Sequence, residues 1–269
     1  MKNLLYFLLS LVITGRAAAQ QPDSIPQHQT FTLASKQMGE TRTINVWTPP
    51  EYAAGKDSLP VMYMADGGVN EDFPHIANTF ASLIAAKKIP AMILVGIENT
   101  QRRRDLTGVT SIAKDKEIAP VVGGSAQFRA FITDELFIEI NKKYRTKNEK
   151  GIIGESLSGL FVMETFLQHP ELFDYYIAFD PSLWWNNQYL LNHAEAYLSK
   201  IPEAQQKRLW FASSNAKDIS GATQKLAKIL KAKNLANVQW QYANEPKEKH
   251  QTIFRATKEK ALLWTLGAQ

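Results

Sequence analysis

A chain of 269 residues, 45% apolar and 21% charged, can bury one substantial core, and this composition excludes wholesale disorder. It has no cysteine, which excludes disulfide stapling, thiol catalysis and thiolate metal sites. The formal charge of +5 comes from scattered basic residues apart from Arg102-Arg103-Arg104, with no nucleic-acid-binding motif beside them, so no nucleic-acid partner is expected.

The chain begins with a targeting pattern. Lys2 supplies a positive start, residues 4–13 are apolar, and Ala17-Ala18-Ala19 forms a small-residue cleavage site before Gln20. The apolar run is too short for an ordinary membrane span. The reading is a signal peptide over 1–19, export to the periplasm or beyond, and no stable membrane insertion after cleavage. Removal of that segment takes Lys2 and Arg16 with it and leaves a formal charge of +3. Residues 20–28 are polar, hold two prolines and read as a flexible leader. Residues 29–269 read as a single folded domain.

Within that domain β-type and helix-type patterns alternate. Residues 31–33 and 43–47 predict two antiparallel strands, ended by Pro49-Pro50. A strand over 59–65 stops at Asp66-Gly67-Gly68, a helix follows over 73–88, and a buried strand over 91–97 leads into a long polar loop, 98–125. An amphipathic helix covers 127–144. Residues 151–154 end a strand and 157–168 form a helix closed by His169-Pro170. Strands at 175–179, 208–212 and 238–242 then alternate with helices at 187–200, 222–233 and 253–266. Such alternation predicts an α/β fold, a mainly parallel central sheet with helices on both faces. Sites in such sheets form beyond the carboxyl ends of the strands.

One of those strand ends carries Gly154-Glu155-Ser156-Leu157-Ser158-Gly159. This G-x-S-x-G lies directly between an apolar strand and a helix, the arrangement of a nucleophile elbow in the α/β-hydrolase fold. The glycines remove side chains that would collide with the neighbouring strand and helix, and the helix N-terminus favours developing negative charge. Ser156 is the candidate nucleophile; the alternative is an ordinary serine N-cap. A serine hydroxyl needs a general base. Of five histidines, His250 alone follows the last strand, where the chain order Ser, acid, His of this fold requires it. Two acids follow Ser156 at strand ends: Asp180, at the tip of the 175–179 strand, and Asp218, after the 208–212 strand. Asp180 is favoured, with Asp218 next and a bare Ser–His dyad third.

Acyl transfer also needs backbone N–H groups aimed at the developing oxyanion. Leu157, just after the nucleophile, is one candidate; Gly68 is the other, with Gly67 as its alternative. Trp184-Trp185 would stack an aromatic or sugar-like substrate group if exposed, and would be packing if buried. Arg104, in the long loop, would clamp an anionic group, or else anchor the loop through Asp105.

Asp66-Gly67, Arg102-x-Arg104-Asp105-Leu106-Thr107, Glu135-Leu136, Gly154-x-Ser156-x-Ser158-Gly159-Leu160 and Pro181-Ser182-Leu183-Trp184-Trp185 together resemble the Putative esterase family. That family includes enterobactin and salmochelin esterases, feruloyl esterases and S-formylglutathione hydrolases. The likeness runs from about Phe31 to the C-terminus, and its second and last segments look most like the siderophore-esterase branch. The resemblance implies hydrolysis of a small-molecule carboxylic ester through an acyl-enzyme, with no metal or organic cofactor. Siderophore esters and aromatic or carbohydrate esters are the substrate groups it suggests. This chain departs from many relatives in having Glu155 where they have His before the nucleophile, and Asp180 where they have Ser. Their usual acidic position after the next strand reads Ser213-Ser214-Asn215 here. A non-catalytic siderophore- or glycan-binding protein on the same scaffold, and an acyltransferase using the same Ser-His pair, are the competing readings.

Overall fold

The computed structural model describes residues 23–267. The signal-peptide reading of residues 1–19 lies outside the described residues. Over its described part the leader segment meets the body of the fold through side chains. Arg255 pairs with Asp23 at 2.6 Å, Asn78 Nδ2 donates to the Ser24 carbonyl at 2.8 Å, and the His28 ring meets the edge of Phe73.

The strands are β1 (Gln29–Ser35), β2 (Glu40–Trp47), β3 (Leu59–Met64), β4 (Ile93–Ile97), β5 (Thr146–Glu155), β6 (Tyr175–Phe179), β7 (Lys207–Ser213) and β8 (Val238–Asn244). They form one eight-stranded sheet in the order β1-β2-β4-β3-β5-β6-β7-β8. β1 pairs antiparallel with β2, and β2 antiparallel with β4. Every other pairing is parallel.

Alternation along each strand divides the core in two. On β3, Val61 and Tyr63 point to one face and Met62 and Met64 to the other. The first face is covered by α6 (Leu157–Gln168), α7 (Trp185–Leu198), α8 (Lys217–Lys233) and the long helical segment of residues 125–143. The second is covered by α1 (Phe73–Ala85) and α9 (Ile253–Leu266), whose Phe73, Ile76, Phe80, Phe254 and Leu262 pack on Met62, Ile153, Phe179 and Trp210. Strands buried on both faces have to read as continuous apolar runs, which is why 93–97 and 175–179 were legible.

Three details differ from the sequence reading. β5 starts at Thr146 because its polar first half, 146–150, still pairs with β3 across a register shift between Leu59 and Val61. Side chains there are mostly exposed, so no apolar period marks them. The predicted loop 98–125 holds two short helices, α2 (Arg102–Asp105) and α3 (Ala113–Ile118). The helix expected over 127–144 is α4 (Ser125–Ala130) and α5 (Phe137–Lys143), joined by a π-helical stretch over Phe131–Leu136. That wider turn keeps Phe128, Phe131, Ile132, Leu136 and Ile140 all buried.

Candidate active site

The carboxyl ends of β3, β5 and β6 each lead into a non-glycine residue with positive φ: Asp66 (55°), Ser156 (61°) and Asp180 (41°). Such backbone is costly, on the order of 1–3 kcal/mol at each position, and clusters at functional sites. At β5 the cause is visible. A Cβ on Gly154 would lie 2.1 Å from Ser158 Oγ, and one on Gly159 2.9 Å from the Phe179 carbonyl oxygen. Only glycine lets strand, turn and helix approach this closely. The turn is pinned from β6 as well: the Ser156 N–H donates to the Phe179 carbonyl at 3.0 Å, and the Ser182 N–H donates to the Ser156 carbonyl at 3.1 Å.

The chain beyond β8 returns to this turn. Ser213 and Ser214 belong to the end of β7 and the turn after it, and the β8–α9 loop is tied to them by Glu245 N–H to the Ser213 carbonyl at 2.8 Å. Asn215 N–H to the Glu248 carbonyl at 3.0 Å adds a second tie. His250, in that loop, stands 3.1 Å from Ser156 Oγ through Nε2 and 2.9 Å from Asp180 Oδ2 through Nδ1. A carboxylate only accepts, so Nδ1 carries the proton and Nε2 is left free to accept the serine hydroxyl proton. Asp180 is fully buried and its charge is met by three donors: the Ser214 N–H at 2.6 Å, the Ser214 hydroxyl at 2.5 Å and the imidazole. The bond to Asp180 raises the His250 pKa above its ordinary value; burial opposes the rise and the nearby Glu155 adds to it. A base must be neutral to work. Activity is therefore expected to fall as pH drops through that raised pKa, with the acidic limb of kcat/KM above about 6.5. A pH–rate profile checks this, and a limb near 5 would contradict it.

Asp218 is exposed in the first turn of α8 and acts on His250 only as a distant charge. The other histidines are engaged elsewhere: His28 with the Pro26 carbonyl, His75 with Asp72, His169 with Glu171 and His193 with the Tyr189 carbonyl.

The loop after β3 lies against the elbow through Arg102. Its guanidinium grips Asp66 with Nε at 2.5 Å and Nη2 at 2.8 Å, and Nη2 also reaches the Glu155 carbonyl at 3.4 Å. Gly68 donates its N–H to Glu71 Oε2 at 2.6 Å, a side-chain rather than a main-chain partner. The alternative, Gly67, is corrected: its N–H is held by the Ile97 carbonyl at 2.9 Å, a fixed main-chain bond. Leu157 is buried in the first turn of α6, where main-chain N–H groups have no intrahelical acceptor.

The substrate-binding expectation for two residues also needs correction. Trp185 is 5% exposed and donates its indole N–H to the Gly108 carbonyl at 3.1 Å, so it packs the core and anchors the 98–125 loop. Trp185→Ala is expected to cost about 3–5 kcal/mol of stability, as a shift of the urea midpoint, rather than to act mainly on KM. Trp184 is half-buried and packs against the core. Arg104 is spent on Glu40 (2.7 Å) and Asp105 (2.6 Å), beside the buried Arg42–Asp105 pair. The arginine next to the Ser156 turn is Arg102, which the motif contained but whose spacing gave no preference over Arg104. Ser214 was also missed as the partner of Asp180. Among the described residues no group of three His, Cys, Asp or Glu side chains could hold a metal ion. None of their helices is long and apolar enough to cross a membrane.

Residues 35–264 match the family model described as Putative esterase. The chain belongs to that family. Ferri-bacillibactin esterase BesA of Bacillus subtilis (strain 168) is 32% identical over 199 residues, 65% of this chain and 65% of that protein. The siderophore triacetylfusarinine C esterase of Aspergillus fumigatus is 28% identical over 66% of this chain and 63% of that protein. The match thus spans slightly less than two thirds of these relatives' own length. The crystal structure of an IroE-like serine hydrolase from Shewanella oneidensis superposes with a TM-score of 0.80 at 27% identity, covering 88% of this chain and 79% of that one. The architecture is the α/β-hydrolase fold.

Proposed function

We propose that this esterase-family member is a serine carboxylic-ester hydrolase that works through an acyl-enzyme on siderophore-type esters. The observation that carries the reading is the His250 imidazole bridging Ser156 Oγ and Asp180 Oδ2. Ser156 Oγ attacks the acyl carbon while its proton passes to His250 Nε2, and the imidazolium is stabilised by Asp180. The N–H groups of Leu157 and Gly68 receive the oxyanion, with Glu71 swinging away from Gly68. The imidazolium returns its proton to the leaving alkoxide. A water then attacks the acyl carbon and gives its proton to Nε2, which passes it to Ser156 Oγ as the acyl–Oγ bond breaks and the acid leaves.

The siderophore class rests on the relatives: the two curated proteins are named for siderophore esters, and the Shewanella protein as a serine hydrolase. Two measurements test the proposal. A fluorophosphonate should label the protein at Ser156, located by peptide mass spectrometry. Purified protein should release hydroxy-acid monomers from a cyclic siderophore triester. Absence of labelling would leave a binding protein in place of the enzyme, and ester products formed with an added alcohol would indicate acyl transfer. The proposed export leader predicts that protein recovered from the periplasm or medium begins at Gln20, read by N-terminal sequencing.

A further inference from the structure

Glu155 is the last residue of β5 and precedes the nucleophile. Strand alternation puts its side chain on the face of Ile153, the face that α1 and α9 cover, and the register with β6 sets it beside Phe179. At the top of that face the β3 loop approaches from one side and the His250 loop from the other. The acids around it all have partners. Asp66 holds Arg102 and Asn99, and Glu71 holds the Gly68 amide and Asn99. Asp72 holds His75, and Asp180 holds Ser214 and His250.

Arg102 makes no hydrogen bond or ion pair to the Glu155 carboxyl; it bonds the main-chain carbonyl of that residue and acts on the carboxyl only as a nearby charge. Among the described residues the Glu155 carboxyl has neither a hydrogen bond nor an ion pair, and it is half-buried near the charge of His250. Burial first, then the charges of Asp72, Asp180 and Asp66, push its pKa up to about 7, against the pull of His250.

We propose that the Glu155 carboxyl is a charge-selecting residue of the acyl-transfer site, favouring esters whose substituent carries a cationic nitrogen and discriminating against anionic ones. The proposal rests on Ser156 being the nucleophile. Its physical basis is the difference between three encounters. A cation gives the isolated carboxylate the partner that the protein withholds, a neutral group covers it without compensation, and an anion meets repulsion in a site already lined by paired acids. Arg102 and Arg104 offer an anion little in return, since they are themselves neutralised by Asp66, Glu40 and Asp105.

Three p-nitrophenyl esters of matched length test this: 4-(trimethylammonio)butanoate, its neutral isostere 5,5-dimethylhexanoate, and the monoester of adipate. Each is corrected for background with the Ser156→Ala protein. At about pH 8.5, where the Glu155 carboxyl is ionised, kcat/KM should fall in that order, with cation and anion about tenfold apart. In Glu155→Gln the cation-to-anion ratio should shrink about tenfold. Both ratios are taken within one protein, so a general loss of activity cancels, and the wild-type order tests the idea even if the variant folds poorly. A wild-type enzyme that prefers the anionic ester, or a ratio that Glu155→Gln leaves alone, overturns the charge-selecting role while the esterase reading stands. No Ser156-dependent turnover of any of the three overturns both.

Discussion

Ser156→Ala is expected to lower kcat/KM for p-nitrophenyl butyrate by about 10⁴-fold or more, leaving only what oxyanion donors and binding supply. The size follows from the role. Without Oγ there is no acyl-enzyme, and His250 can at best assist a water that the site was not built to hold. The fold should survive. Removing one oxygen from a half-buried side chain leaves the main-chain bonds of the turn intact, namely Ser156 N–H to Phe179 and Ser182 N–H to Ser156. The unfolding midpoint of Ser156→Ala should therefore lie near the wild-type value, and fluorophosphonate labelling should vanish. Retention of a tenth or more of the activity would mean that another group attacks.

Asp180→Asn is the second large effect, about 10³–10⁴-fold in kcat for the same ester. Nearly every contact could be kept in shape, but an amide nitrogen facing His250 would donate where the carboxylate accepts. The imidazole would then carry its proton on Nε2, the nitrogen that must receive the serine proton. The charge that stabilises the imidazolium would be gone as well. Asp218→Asn, by contrast, should stay within about twofold of wild type, because an exposed carboxylate acting at a distance is screened. Equal losses in the two variants would contradict the assignment of the acid to Asp180.

Much of this site was legible in the sequence, for identifiable reasons. Ser156 sits in a motif whose glycines are dictated by interpenetrating strand and helix, so the chemistry and the packing left the same mark. His250 is the histidine that chain order selects, since no other follows β8. Asp180 was reachable because the stretch after β7 offers Ser213-Ser214-Asn215 instead of an acid. What stayed hidden was the direction in which side chains point from short elements. Arg102 and Arg104 are two residues apart on a one-turn helix, and only the tertiary arrangement sends one to Asp66 and the other to Glu40. Trp184 and Trp185 are adjacent, and nothing in their pattern favours burying the second rather than the first. Glu71 reaching back to Gly68 is a local turn contact with no periodicity to betray it.

The placement of Asp180 has a geometric corollary. Ser214, Asp180 and Ser156 stand at the ends of β7, β6 and β5, three adjacent rungs about 4.8 Å apart, and His250 arches over them. The sheet's own spacing thus serves as the ruler for this chain of hydrogen bonds, and a slip of any one of these rungs by a single residue would break it. The rungs at the far margin, β1 and β2, carry no such duty, so loop insertions and sequence drift should be absorbed there first.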